Sequence, residues 1–167
     1  AQIDAVVEDI GIDAVKIGML HSPEVVAVVA DALRRHHLSH VVLDPVMVAT
    51  SGDRLMADAT VQVLVRELFP LATVVTPNLD EAALLLGRSI PGIEALDAAA
   101  RALLALGAPA VLLKGGHLPG AEVVDVLALP DGTLQHLRSP RIATHNGHGT
   151  GCTLSSAIAA HLALGHA

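Results

Sequence analysis

Residues 73–87 read Thr73-Val74-Val75-Thr76-Pro77-Asn78-Leu79-Asp80-Glu81-Ala82-Ala83-Leu84-Leu85-Leu86-Gly87. Thr73-Val74-Val75 is a short β-branched run, which predicts a buried strand. Thr76-Pro77-Asn78 follows as a loop, and Asn78 is positioned to cap a helix that runs through Leu86 and stops at Gly87. One strand-to-helix passage is therefore complete within a single short stretch.

The same unit recurs on both sides. Upstream, Ala14–Gly18 reads as a strand, and Pro23–His36 as a helix with Ser22 at its N-cap and Pro23 and Glu24 in its first turn. Val41-Val42-Leu43 is a buried strand ending in Asp44-Pro45, and Asp58–Leu68 a helix closed by Pro70. Downstream, Ile93–Leu106 is helical, with Gly107 after its end, and Ala110–Leu113 is a strand that ends in Lys114-Gly115-Gly116. Val123–Leu129 and Thr133–Leu137 flank Pro130-Asp131-Gly132, a hairpin signal. Thr150–Leu164 is the final helix. Alternating strands and helices predict right-handed crossovers and a mostly parallel sheet, with the hairpin as an antiparallel edge. Strands apolar on both faces predict helices on both sides, a three-layer α/β/α sandwich. Residues 1–167 are read as one domain. The chain begins and ends inside helical sequence, which suggests a piece of a longer domain.

Composition narrows the function classes. Hydrophobic residues make up 52% and charged residues only 16%, against a usual charged share of about 25%. A core is affordable and disorder is excluded. Phe69 is the only aromatic residue of the Phe, Tyr and Trp set, so a flat ligand must be held by aliphatic groups, histidines and backbone. The net charge of −7 argues against non-specific nucleic-acid binding. Cys152 is the single cysteine, which excludes an internal disulfide and a multi-cysteine zinc site. The stretch Ile142–Ala167 carries no Asp, Glu, Lys or Arg, but His145, Asn146, His148 and several glycines interrupt it, so no spanning helix is expected.

The polar residues gather where the strands end, the rim at which open α/β sheets bind ligands. Gly147-His148-Gly149-Thr150-Gly151-Cys152 opens the last helix. Its alternating glycines and the helix N-terminus expose N–H groups to a phosphate or a developing oxyanion, or form an ordinary glycine-rich loop. Cys152 sits where the helix dipole favours a thiolate, as a base or nucleophile, or it is a small buried apolar residue. Thr150 donates to phosphate or caps the helix. Lys114 reaches phosphates as a point charge or snorkels at the surface. Asp44 and Glu81 can hold Mg²⁺ directly or through waters, or serve as a turn residue and a first-turn Glu. Met19 is a pocket wall or core filler. His145 with His148, and His36 with His37, lack a carboxylate at fixed spacing and are read as hydrogen-bonded or solvated rather than metal-binding.

In order along the chain, Asp13–Leu20, Val41–Met47, Ser51-Gly52-Asp53, Thr76-Pro77-Asn78 with Glu81, Lys114–His117 and His148–Leu154 resemble the hydroxymethylpyrimidine/phosphomethylpyrimidine kinases of the ribokinase-like superfamily. Related sugar and pyridoxal kinases carry Asp at the position of Cys152, so Cys points to the pyrimidine branch. The resemblance implies a cytoplasmic enzyme that uses ATP and Mg²⁺ to phosphorylate hydroxymethylpyrimidine and then its monophosphate. It implies Gly149, Thr150, Gly151 and Cys152 as the anion hole, with Cys152 also the base. It implies Lys114, Thr150 and Asn78 on ATP, Asp44 and Glu81 at Mg²⁺, and Met19 and Val46 on the pyrimidine. Family members often have Thr where this chain has Gly147, and they extend further at both ends. A pyridoxal kinase, a non-catalytic pyrimidine-binding piece and a homodimer remain open. A cysteine hydrolase is disfavoured, because the residue two after Cys152 is Leu154 rather than the glycine of a nucleophile elbow.

Overall fold

The computed structural model describes residues 2–48, 53–144 and 149–166. Ser51, Gly52, His145, Asn146, Gly147 and His148 of the motifs above lie outside the described residues. In chain order the elements are α1 (Gln2–Asp9), β1 (Val15–Ile17), α2 (Pro23–Arg35), β2 (Val41–Leu43), α3 (Asp58–Leu68), β3 (Val74–Val75), α4 (Leu79–Leu86), α5 (Leu96–Leu104), β4 (Val111–Leu113), β5 (Glu122–Ala128), β6 (Leu134–Pro140) and α6 (Thr150–Ala163). Tight 3₁₀ turns follow α3 at Phe69–Leu71 and precede α5 at Ile93–Ala95. Gly92 starts the second turn, and exposed Ile93 does not join the core face, so the α-helix proper begins only at buried Leu96.

The six strands lie side by side in chain order. β1 to β4 are parallel, and β5 and β6 are antiparallel, as the hairpin signal predicts. Gly132 makes that turn possible with φ +90°, and Asp131 accepts the Thr133 N–H at 2.9 Å.

Side-chain alternation splits the sheet between two layers. Ile17, Val41, Leu43, Val75, Val111 and Leu113 face the larger core. That side is covered by α2 through Val26, Ala30 and Leu33, by α3 through Leu64 and Leu68, by α4 through Leu79 and Ala82, and by α5 through Leu96, Ala100 and Leu103. Phe69, the lone aromatic, is fully buried there. Val42, Val74 and Leu112 face the other way and meet α6 at Ala159. Small buried residues on α6, Ser155 and Ala159, one turn apart, let it lie close against the sheet. The result is the expected three-layer α/β/α arrangement. Lys16 of β1 breaks the apolar pattern: its register partner is Val42, on the face covered by α6.

Candidate active site

The carboxyl ends of the four parallel strands bring the polar motifs to one rim. Asp44, at the end of β2, is buried at 1% exposure. Lys114, following β4, donates from Nζ to Asp44 Oδ1 at 2.9 Å. Thr76, following β3, donates to the same oxygen at 3.2 Å and is itself buried. On the other carboxylate oxygen, Ser155 of α6 donates at 3.3 Å, with the carbonyls of Gly151 and Cys152 competing for its proton. Lys16 Nζ stands 3.8 Å from Asp44 Oδ2. A buried carboxylate thus ties together three strand ends and the second turn of α6, which meets the need of a buried charge for partners.

The loop after β3 is held by a capping box. Asn78 accepts the Glu81 N–H at 2.9 Å, and the Glu81 carboxylate accepts the Asn78 N–H at 2.7 Å. Glu81 is 2% exposed. Burial pushes its carboxyl up to about 7, with the Asp44 charge acting in the same direction and the Asn78 backbone and Lys114 pulling the other way. Asn78 also bridges to Lys114 backbone-to-backbone, beside the β3–β4 pairing.

The two glycines after Lys114 fix its direction. Gly115 donates its N–H to Asp125 Oδ1 of β5 at 2.8 Å, and its missing side chain lets the chain cross the Val124 carbonyl at close range. Arg141 donates to the carbonyls of Gly116 and Gly120 at 2.9 and 2.8 Å and to that of Leu118, which folds the next loop down.

The helix end supplies the donors. Gly149 precedes α6 with φ +80°, a left-handed conformation that glycine adopts without strain. The first intrahelical bond runs from the Thr153 N–H to the Gly149 carbonyl at 2.9 Å. The N–H groups of Thr150, Gly151 and Cys152 lie in the preceding turn, which has no intrahelical acceptors to offer. Cys152 is a free, exposed thiol. A Cβ on Gly151 would stand 3.0 Å from Lys114 Nζ, so the glycine leaves space for the ammonium beneath the helix end.

Of the residues singled out in the sequence, Asp44, Asn78, Glu81, Lys114 and Gly151 converge directly, and Gly149, Thr150 and Cys152 complete the helix end beside them. Met19 and Val46 sit on the same rim after β1 and β2, Met19 at 49% exposure and Val46 half-buried. Two grooves of about 450 and 440 Å³ lie elsewhere, against α3 and α4 and along α6, and none of these residues lines them.

A helix N-terminus beside a lysine held on a buried aspartate is an arrangement chemically suited to a phosphate group. The sequence profile of the phosphomethylpyrimidine kinase family matches residues 1–167. The chain belongs to the phosphomethylpyrimidine kinase family. Within this family, the hydroxymethylpyrimidine/phosphomethylpyrimidine kinase of Rhizobium meliloti is 55% identical over 166 residues, covering 99% of this chain and 62% of that protein. The chain spans about three fifths of the length of the curated relatives it matches first. Among solved structures, an ADP complex of Bacillus subtilis pyridoxal kinase matches with TM-score 0.91 at 38% identity, over 99% of this chain and 62% of that one. Clostridium difficile phosphomethylpyrimidine kinase matches with TM-score 0.83 at 39% identity, over 99% of this chain and 67% of that one. The ribokinase-like fold of these kinases is the fold seen here.

Sequence reasoning assigned no role to Lys16, Thr76, Ser155 or Asp125. Lys16 carried a signal, as a charge inside an otherwise apolar strand. Ser155 carried a weaker one, four residues after Gly151 on the same helix face. Asp125 had none, because its partner Gly115 reaches it only through the antiparallel pairing of β4 and β5. Four histidines make side-chain hydrogen bonds: His36 to Asp4, as expected, His117 to Asp80, His136 to Asp97 and His40 to the Asp13 carbonyl, while His145 and His148 lie outside the described residues. Among the described residues no group of three or more His, Cys, Asp and Glu is arranged to hold a metal, and no helix is long and apolar enough to cross a membrane.

Proposed function

We propose that this chain carries the phosphoryl-transfer rim of an ATP-dependent kinase acting on hydroxymethylpyrimidine and then on its monophosphate, in thiamine biosynthesis. The observation that carries the reading is the Lys114–Asp44 pair at 2.9 Å, set beneath the α6 N-terminus with Gly151 leaving the ammonium room. Lys114, Thr150 and Asn78 contact ATP. The N–H groups of residues 149–152 receive the charge that builds on the transferred phosphoryl group. Cys152 takes the proton of the substrate hydroxyl, and its exposure at the helix end gives that proton access. Met19 and Val46 form part of the pyrimidine wall. Residues 1–167 form part of one kinase domain, at work in the cytoplasm on a small molecule rather than on nucleic acid, and a homodimer is compatible with it.

Mg²⁺ would be held by Asp44 and Glu81 through its waters. Both Asp44 oxygens already accept hydrogen bonds and Glu81 is engaged in its capping box, so the pair suits a hydrated cation better than a bare one. When bound, the ion neutralises phosphate charge.

A second reading is pyridoxal phosphorylation, favoured by the 0.91 TM-score to a pyridoxal kinase. Supplying the full-length protein with ATP, Mg²⁺ and either hydroxymethylpyrimidine or pyridoxal separates the two by ADP release. No ADP with either acceptor removes the kinase reading. Cys152→Ala should lower kcat at least about tenfold on the hydroxyl acceptor with ATP affinity retained, and an unchanged kcat takes Cys152 out of the base role.

A further inference from the structure

Two ammonium groups bracket one carboxylate at the rim. Lys114 is hydrogen-bonded to Asp44 at 2.9 Å, and Asp44 receives two further hydroxyl donors. Lys16, at 3.8 Å, stands beyond hydrogen-bond distance of that carboxylate. Lys114 is therefore the ammonium tied to this carboxylate, and Lys16 the one beside it with no hydrogen bond to it. The Lys16 side chain is 21% exposed, and so reaches solvent from a strand face that is otherwise apolar. Gly18, two residues on, keeps the space beside it open: a Cβ there would stand 3.1 Å from Lys16 Nζ. The position along the rim is also specific. Lys114 follows β4, at the nucleotide end of the proposed site, whereas Lys16 lies on β1, whose end carries Met19, with Asp44 between them.

We propose that Lys16 binds the phosphate of a phosphate-monoester acceptor and thereby enables the second of two successive phosphoryl transfers at this rim. The proposal rests on the kinase reading above and extends it to a residue with no role there. The two transfers make different chemical demands. A hydroxyl acceptor is neutral and must lose a proton. In the second transfer an anionic oxygen of the monoester uses its own electron pair to form the bond to the γ-phosphorus. The bond from that phosphorus to the bridging oxygen breaks, and its electron pair leaves with ADP. The product is a diphosphate, and the attacking oxygen has no proton to give up. The obstacle is instead repulsion between two phosphates, which a cation on the acceptor side relieves.

The test compares Lys16→Met with wild-type full-length protein on two acceptors, hydroxymethylpyrimidine and its monophosphate, at saturating ATP. The expected result is a rise of at least about tenfold in KM for the monophosphate, with KM for the hydroxyl acceptor and for ATP within about twofold of wild type. Lys16→Arg, which keeps the charge, should recover most of the loss. An equal loss on both acceptors, or no loss on either, overturns the assignment. Lys16→Gln carries the same comparison should the methionine variant fail to fold. Wild-type protein that turns over neither acceptor defeats the kinase reading itself. Wild-type turnover of both, with no selective loss in the variants, defeats only the role of Lys16.

Discussion

Gly151 and Lys114 are packed so that a methyl group on the glycine would stand 3.0 Å from the lysine ammonium. The two residues come from distant parts of the chain, one from the first turn of α6 and one from the end of β4. The ammonium is the movable end of a flexible chain, so a side chain at position 151 shifts charge rather than breaking the fold. Gly151→Ala should therefore keep or slightly raise thermal stability, since Ala is favoured over Gly in a helix by up to about 1 kcal/mol. It should also raise KM for ATP by roughly tenfold through the displaced Lys114. Melting curves and ATP titrations check both halves, and unchanged ATP affinity would separate Lys114 from the nucleotide.

Asp44 is the hub of the rim, and removing its charge strands Lys114 in a buried setting. Asp44→Asn should cost about 3 kcal/mol in denaturant unfolding, the usual scale for breaking a buried ion pair. Pairing Asp44→Leu with Lys114→Met should recover part of that stability while leaving the protein inactive. A single variant within about 0.5 kcal/mol of wild type would mean that the pair contributes little to the fold.

Glu81 makes stability depend on pH. Its carboxyl is pushed from an ordinary 4.5 to about 7 in the folded chain, chiefly by burial. Below 4.5 both folded and unfolded chains hold the proton and Glu81 has no effect. Between 4.5 and 7 the unfolded chain ionises first, so stability falls as pH rises, and above 7 the full penalty, on the order of 3 kcal/mol, remains. Glu81→Gln keeps the acceptor of the capping box. It should match wild type at about pH 4 and exceed it at about pH 8 in urea midpoints. A variant equal to wild type at both pH values would contradict the burial argument.

Gly115 allows no side chain. A Cβ there would overlap the carbonyl oxygen of Val124, which β5 pairing cannot release. Gly115→Ala should destabilise by about 3 kcal/mol, with loss of activity following from misdirection of Lys114. Asp125→Ala frees the same loop without the clash and should lower activity more than stability. Circular dichroism melts beside turnover measurements distinguish the two variants.

Much of this molecule is written locally. The β-branched run at Thr73–Val75, the Asn78–Glu81 box and Gly87 determine a strand, a helix start and a helix stop within one short stretch, and the φ of +64° at Gly87 bears out the last. Those signals act between residues a few positions apart, where backbone preference and capping decide the outcome, so strand and helix limits agree with the sequence reading to within a few residues. The placement of Asp44, Glu81, Lys114 and Gly149–Cys152 on one rim was also legible, because parallel crossovers send every strand end to the same edge. Its partnerships were not. Lys114 lies 70 residues from Asp44, and Ser155 lies 111 from it. Lys16 reaches Asp44 only because β1 and β2 pair in the register Ile17↔Leu43. No periodicity or propensity encodes which of two lysines hydrogen-bonds Asp44 and which stands 3.8 Å from it. That choice belongs to the tertiary structure, because it depends on the pairing of strands distant in sequence and on the close approach of α6 through Ser155 and Ala159.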